Sequence, residues 1–290
     1  MNDRFVLGTV QFGLDYGVSN ETGRVGPADV KSILHYAAAS GIDTLDTAIA
    51  YGDSESTLGQ AGVGNWKVIT KLPVIPDGCV DVVGWVEAQT LGALNRLGLS
   101  QLHGVLLHRP EQLLGEDGKF MIKALQHIKA QGMTQKVGVS VYGPEELDSL
   151  KGVMQFDLVQ APMNILDRRL VDSGWAKRLK EQGVEIHVRS AFLQGLLLME
   201  PTERPEKFSR WRSIWSEWSR WLGVTALTPL QACLGYALGV QEAEKVVVGV
   251  NSVKQLQEVI AASQLPISSL PNWPQVIDAD LIDPRHWRHL

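Results

Sequence analysis

Only two cysteines, Cys79 and Cys233, occur in 290 residues, and they lie far apart. They exclude a disulfide framework and any Cys-based metal or redox spacing. No apolar run reaches the roughly 18 residues that a membrane span needs. The opening MNDRFVLGTV lacks the basic-then-apolar pattern of a secretory leader. No block of like charge occurs, and a net charge of −5 argues against a nucleic-acid surface. No metal is expected. What remains is a chain that is 44% hydrophobic, enough for a sizeable core. The expectation is a soluble, cytoplasmic, globular protein.

What is present is a regular beat of short β-rich runs and longer amphipathic runs. The strand-like runs are 4–10, 42–46, 66–70, 103–108, 136–140, 156–162, 184–190 and 244–250. Helical patterns lie between them. Pro27 opens one that Gly41 closes, and Ser54 is a plausible N-cap of a short second one. Others cover about 80–98, 117–131, a few residues after Pro144, 167–182, 204–222, 228–240 and 252–263. The tail, with Pro271, Pro274 and Pro284, reads as irregular. Strands at this spacing return through helices and are therefore parallel. Eight such units predict a single-domain (β/α)₈ TIM barrel over residues 1–290. An open doubly wound sheet is the alternative. It is disfavoured because no GxGxxG follows the first strand and no composition shift marks a second domain.

Barrel sites lie at the C-terminal ends of the strands. Asp46 ends the second strand, and Tyr51 follows in a loop marked by Gly and Ser. Lys71 stands at the exit of the third strand and His108 at the end of the fourth. Singly, each has an ordinary role as a cap, packing or surface residue. Together they put a carboxylate, a phenol, an ammonium and an imidazole on one corner. The ammonium is expected to lower the phenol's pKa, and the carboxylate to keep the lysine charged and fixed. Such a phenol can exchange a proton with an oxygen that the imidazole orients. The unit suits protonation of a carbonyl oxygen while a nicotinamide supplies hydride.

GIDTLDTAIAYGDSESTLG, VITKLP and VLLHRP resemble the catalytic signatures of the aldo-keto reductases, and the likeness runs from LGTVQFG to DPRHW. It implies a (β/α)₈ barrel, an NAD(P)(H) cofactor and carbonyl–alcohol interconversion. Tyr51 would be the proton donor, Lys71 and Asp46 would tune it, and His108 would position the carbonyl. Gly8 and Thr9, in LGTVQFG, would lie against the cofactor. VGVSVYG and LVQAPMN resemble segments whose Ser140 and Gln160 hold the carboxamide, although Val141 stands where Asn is usual. VRSAFLQGLLL puts Arg189 where an aromatic residue usually stacks on the nicotinamide; a guanidinium can also stack there, but it faces a second positive charge when the cofactor is oxidised. Ser190 would contact the pyrophosphate, and Phe192, Gln194 and Gly195 continue that loop.

VVGVNSVKQLQEV resembles the adenosine-phosphate segment, with Gly249, Asn251 and Ser252 matching and Glu258 near the adenine. Gln255 replaces the expected Arg or Lys, Val259 replaces a usual Asn, and Lys254 is one residue off. Ser252 also reads as an N-cap, though a helix N-terminus is itself a phosphate site. The resemblance favours NADP(H), and Gln255 leaves NAD(H) open.

The substrate is expected to be a small-molecule carbonyl compound, with no nucleic-acid or membrane partner. Phe12, Tyr16, Ile49, Arg109, Met163 and Trp287 are candidates for its pocket. Arg109 hints at an anionic group, or pairs with Glu111. Trp211, Trp215, Trp218 and Leu222 recur at helical spacing and read as a packing stripe, with Trp221 off it. Two alternatives to a reductase remain. One is a Schiff-base lyase using Lys71. The other is a nicotinamide-binding sensor or accessory protein with little turnover.

Overall fold

Eight short runs, apolar on both faces, become parallel strands because each is followed by a helical return. In the computed structural model they are β1 (Phe5–Gly8), β2 (Thr44–Asp46), β3 (Lys67–Leu72), β4 (Leu102–Leu107), β5 (Thr134–Ser140), β6 (Leu158–Pro162), β7 (Glu185–Arg189) and β8 (Lys245–Gly249). They close in sequence order, β8 pairing back onto β1 through Val6 opposite Val247. The structure describes every residue except Met1, Ser19, Glu21, Thr22, Pro266, Ser268, Gln275 and Val276, and the side chain of His289. Ser19, Glu21 and Thr22 belong to the loop expected after the first strand, so that part of it lies outside the described residues.

Strand alternation sets the barrel interior. Ile69, Leu106 and Leu158 form their own fully buried cluster. Such burial contributes roughly 1.5–3 kcal/mol per side chain. Two residues further on come Lys71 in β3, His108 just past the end of β4, and Gln160 in β6. A period of two keeps these on the same inward face, one layer nearer the C-terminal rim. The apolar floor is thus the support of the polar site above it.

Several boundaries differ from expectation. The first strand stops at Gly8, and Val10–Gly13 forms one helical turn. The third strand runs to Leu72, so Lys71 lies within it, locked in the ladder opposite Leu106. The helix expected over 167–182 is two, Arg169–Asp172 and Trp175–Glu181, because Gly174 takes a left-handed φ of 77° between them. The run 204–222 divides into a 3₁₀ turn, Glu206–Trp211, and a helix, Arg212–Thr225. The tail is less irregular than its prolines suggest, with short helices at Ala279–Ile282 and His286–His289. Trp211, Trp215 and Trp218 are buried as a packing stripe. Trp221 joins them, against expectation: it stacks on Trp218 with ring centroids 5.7 Å apart and donates to Ser269 Oγ. Among the described residues no single helix is long and apolar enough to cross a membrane.

Candidate active site

The turn that carries Tyr51 is fixed from below by hydroxyls. Thr9 Oγ1 donates to the Asp46 carbonyl at 2.9 Å, and Ser54 Oγ donates to the Thr9 carbonyl at 2.9 Å. Thr47 Oγ1 donates to Ser54 Oγ at 3.1 Å. Ser54 is therefore a buried tie between β1 and the β2 loop and does not cap its helix, where Asp53 occupies the cap position. The helical turn after β1 packs on the Tyr51 turn so closely that a Cβ at Gly13 would lie 1.8 Å from the Tyr51 carbonyl oxygen.

Lys71 Nζ donates to Asp46 Oδ1 at 2.8 Å, Asp46 Oδ2 at 2.7 Å and the Thr47 carbonyl at 2.9 Å. Those three acceptors use all the protons of an ammonium. Gln160 Nε2 donates to Asp46 Oδ1 at 2.7 Å, which links β6 to the pair. Lys71 Nζ lies 5.1 Å from the Tyr51 ring centroid, and the Tyr51 and His108 rings meet edge to face at 5.9 Å. The four side chains predicted from the sequence are thus in one place.

The electrostatics differ from the sequence expectation at one point. The Tyr51 phenol is pushed above its ordinary pKa, not below it. Burial is the main cause, and the Asp46 carboxylate adds to it. Lys71 does not reverse this, because its charge is bound up with both Asp46 oxygens. Burial lowers the Lys71 pKa, and Asp46 opposes that shift. His108 is pushed down to about 4 by burial, with help from Lys71 and Arg189. The site therefore holds a protonated phenol and a neutral imidazole at neutral pH.

These groups open into a cavity of about 500 Å³. Its inner end is lined by Asp46, Tyr51, His108, Ser140 and Gln160, and Tyr16 stands at the edge. Arg189, Ser190, Phe192, Gln194 and Gly195 form one wall. Gly8 and Thr9 lie across from them, and Gly249, Asn251, Gln255, Glu258 and Val259 form the far end. The loop after β1 crosses between these walls: Val18 N donates to the Gln194 carbonyl at 3.1 Å, and Asn251 Nδ2 donates to Asn20 Oδ1 at 3.0 Å. Asn164 Nδ2 donates to the Ser190 carbonyl at 3.0 Å, and Ser190 holds a left-handed φ of 60°.

Some candidates lie elsewhere. Phe12 and Met163 are fully buried in the hydrophobic core, away from the cavity. Trp287 is buried against Phe208 with centroids 4.9 Å apart, so its flat ring anchors the tail. Ile49 packs against the core, and Arg109 is exposed outside the cavity lining. Ser252 caps its helix, accepting from Gln255 N at 3.2 Å, and does not line the cavity. Gln255 Oε1 accepts from Asn251 N at 2.7 Å. Lys254 is exposed and faces Glu258 at 4.0 Å.

Sequence reasoning missed Gln11 and Tyr142, which also line the cavity. Gln11 follows Thr9 by two residues, and a polar side chain in that apolar turn was the available signal. Its Oε1 is buried with no hydrogen-bond partner among the described residues. A Cβ at Gly249 would lie 2.6 Å from Gln11 Nε2, so the Gln11 amide packs directly on that glycine. Among the described residues no group of three His, Cys, Asp or Glu side chains is placed to hold a metal ion.

A model of the Aldo/keto reductase family matches residues 4–277. An aldo-keto reductase of Mycobacterium sp. (strain KMS) is 30% identical over 184 residues, covering 61% of this chain and 63% of its own length. The chain thus matches under two thirds of that relative. A 6-dehydroglucose reductase of Agrobacterium fabrum is 26% identical over 204 residues, covering 63% of this chain and 67% of its own. A solved aldo-keto reductase from Bacillus halodurans, in its holo form, superposes with a TM-score of 0.71. It is 20% identical and covers 91% of this chain and 88% of that one, a likeness that shows the fold.

Proposed function

Because this chain belongs to the aldo/keto reductase family, we propose that it reduces an aldehyde or ketone to an alcohol, with Tyr51 as the general acid. The observation that carries this reading is the Asp46–Lys71–Tyr51–His108 cluster, of which Asp46, Tyr51 and His108 line the cavity. The cavity suits a nicotinamide dinucleotide. It runs from the cluster to the β8 loop, and the buried Gln11 Oε1 in its wall is an acceptor awaiting a hydroxyl or amide donor. When bound there, the nicotinamide supplies hydride.

The chain's own residues do the rest. Burial keeps the Tyr51 phenol protonated until negative charge develops on the carbonyl oxygen; the proton then passes to that oxygen. The neutral His108 imidazole hydrogen-bonds the same oxygen and orients it. The charge of Arg189 favours the phenolate left behind, and Lys71, 5.1 Å from the ring centroid, is held beside it by Asp46, which Gln160 in turn holds. Ser140 Oγ and Gln160 Oε1, 3.4 Å apart, can exchange their mutual contact for a carboxamide. Ser190 and the Phe192–Gly195 turn would flank the pyrophosphate, and Gly249 and Asn251 the adenosine phosphate. A Schiff base on Lys71 is disfavoured, since its ammonium is bound on all three protons.

The far end of the cavity bears on cofactor choice. A 2′-phosphate there would face the Glu258 carboxylate, with no cation among the described lining residues at that end. Gln255 is uncharged, with its Oε1 on Asn251 N, and Lys254 is exposed outside. An acidic residue suits a free ribose 2′-hydroxyl. We therefore favour NAD(H), although the resemblance leans to NADP(H). The test is an absorbance assay of aldehydes, ketones and sugar-derived carbonyls with NADH and NADPH in parallel; the sugar group enters because of the 6-dehydroglucose reductase match. The expected result is turnover of at least one carbonyl class, faster with NADH. Silence across the whole panel would count against a reductase.

A further inference from the structure

The reacting end of the cavity carries one positive charge that no carboxylate among the described residues pairs with. Asp46 and Lys71 cancel as an ion pair at 2.7 Å. His108 is neutral, and Tyr51 keeps its proton. Arg189 remains. Its contacts are with neutral groups: Nη2 donates to the Val141 carbonyl at 3.0 Å, Nη1 donates to Ser190 Oγ at 3.3 Å, and the guanidinium lies 4.3 Å from the Tyr142 ring centroid. Among the described residues no carboxylate pairs with it. These contacts also fix where it stands. On β7 Arg189 pairs with Pro162, two residues beyond the level where His187 meets Gln160. It therefore shares the inward face with the Gln160 amide, one layer nearer the rim. Its charge reaches the reacting groups, favouring ionisation of Tyr51 and opposing protonation of His108.

A nicotinamide ring is neutral when reduced and carries a positive charge once hydride has left. The two forms share the same adenosine, pyrophosphate and carboxamide. Arg189 is the sole Lys or Arg among the described lining residues. We propose that Arg189 makes this site discriminate by redox state, holding the reduced cofactor more tightly than the oxidised one. The inference rests on the reductase reading, because it needs the ring at the Tyr51–His108 end. Repulsion between two like charges at close range in a partly enclosed cavity is strong enough for about a tenfold preference or more. A tenfold preference also raises the potential of the bound two-electron couple by about 30 mV. In turnover, the oxidised form would leave readily, and accumulated product cofactor would compete poorly for the site.

The experiment is equilibrium titration without carbonyl substrate. NADH and NAD⁺, then NADPH and NADP⁺, are bound to the wild type, to Arg189→Gln, to Arg189→Met and to Arg189→Lys. In the pair that binds, the wild type should prefer the reduced form by about tenfold or more. Either neutral variant should bring that ratio within about threefold of one, chiefly by tightening the oxidised form; the lysine should retain most of it. The two neutral variants differ in polarity, so one that fails to fold leaves the other to decide. A wild-type ratio near one overturns the inference. So does a neutral variant that weakens both forms by the same factor, which would place the guanidinium on the pyrophosphate. If neither dinucleotide binds in any form, the reductase reading fails and this inference falls with it.

Discussion

Asp46→Asn probes the buried pair under the acid. Lys71 and Asp46 have side chains only 1% and 6% exposed. The asparagine keeps an acceptor and removes the charge, so it leaves an ammonium buried without a counter-ion. Breaking a buried pair from one side costs about 3–5 kcal/mol. At about 2–3 °C per kcal/mol for a chain of this size, the melting temperature should fall by roughly 6–15 °C. The loss should also depend on pH. Burial already lowers the Lys71 pKa, and Asp46 opposes that shift. Without Asp46 the pKa falls further. The folded variant then binds fewer protons than the unfolded chain between that lowered pKa and the ordinary lysine value of about 10.4. Its stability should therefore rise with pH through that window, and the deficit against wild type should narrow. Asp46→Asn/Lys71→Met, with no buried charge, should recover most of the loss. The assay is thermal and urea unfolding of the three proteins from about pH 6 to about pH 9. A loss under about 1 kcal/mol, with the pH slope of wild type, would refute the reasoning. It would mean the pair is hydrated in solution.

Two other perturbations test separate parts of the site. His108, with its pKa depressed to about 4, binds fewer protons when folded than when unfolded, so its contribution to stability is lost as pH falls from about 6.5 through about 4. An imidazole titration followed by NMR should show no His108 protonation near neutral pH; a midpoint near 6.5 would contradict the burial argument. Gly13→Ala drives a Cβ to within 1.8 Å of the Tyr51 carbonyl oxygen, so the Tyr51 turn must move. The expected result is a loss of about 1–3 kcal/mol with a fall in kcat, and full activity would show that the turn is pliable.

The barrel was legible because parallel strands, buried on both faces, leave short apolar runs that turn residues bound. The catalytic corner was legible because strand ends become a rim once the barrel closes. Asp46 and His108 were read as the ends of such runs, and Lys71 stayed inward even though β3 runs one residue past it. The direction of the Tyr51 shift was not legible. It depends first on how deeply the ring is buried, and then on the Asp46 carboxylate, which takes up Lys71's charge through two hydrogen bonds. The substrate wall was the poorest reading. Phe12 and Trp287 are aromatic residues near the active rim in sequence, but both are needed for packing, and composition does not separate the two uses. Trp221 lies off the stripe of a single helix face, but the helix also packs against the tail, Trp218 on Trp273 and Trp221 on Ser269. Gln11 gave a signal only as a polar residue in an apolar turn.

The central claim is that Tyr51 supplies the proton while the rest of the cavity holds the cofactor. Tyr51→Phe removes only the hydroxyl from a ring that Lys71 and His108 flank. Cofactor affinity by fluorescence titration should stay within about threefold of wild type, while kcat for the best carbonyl of the panel falls by about 10²–10⁴-fold. Retained turnover in Tyr51→Phe, with cofactor still bound, would contradict the account.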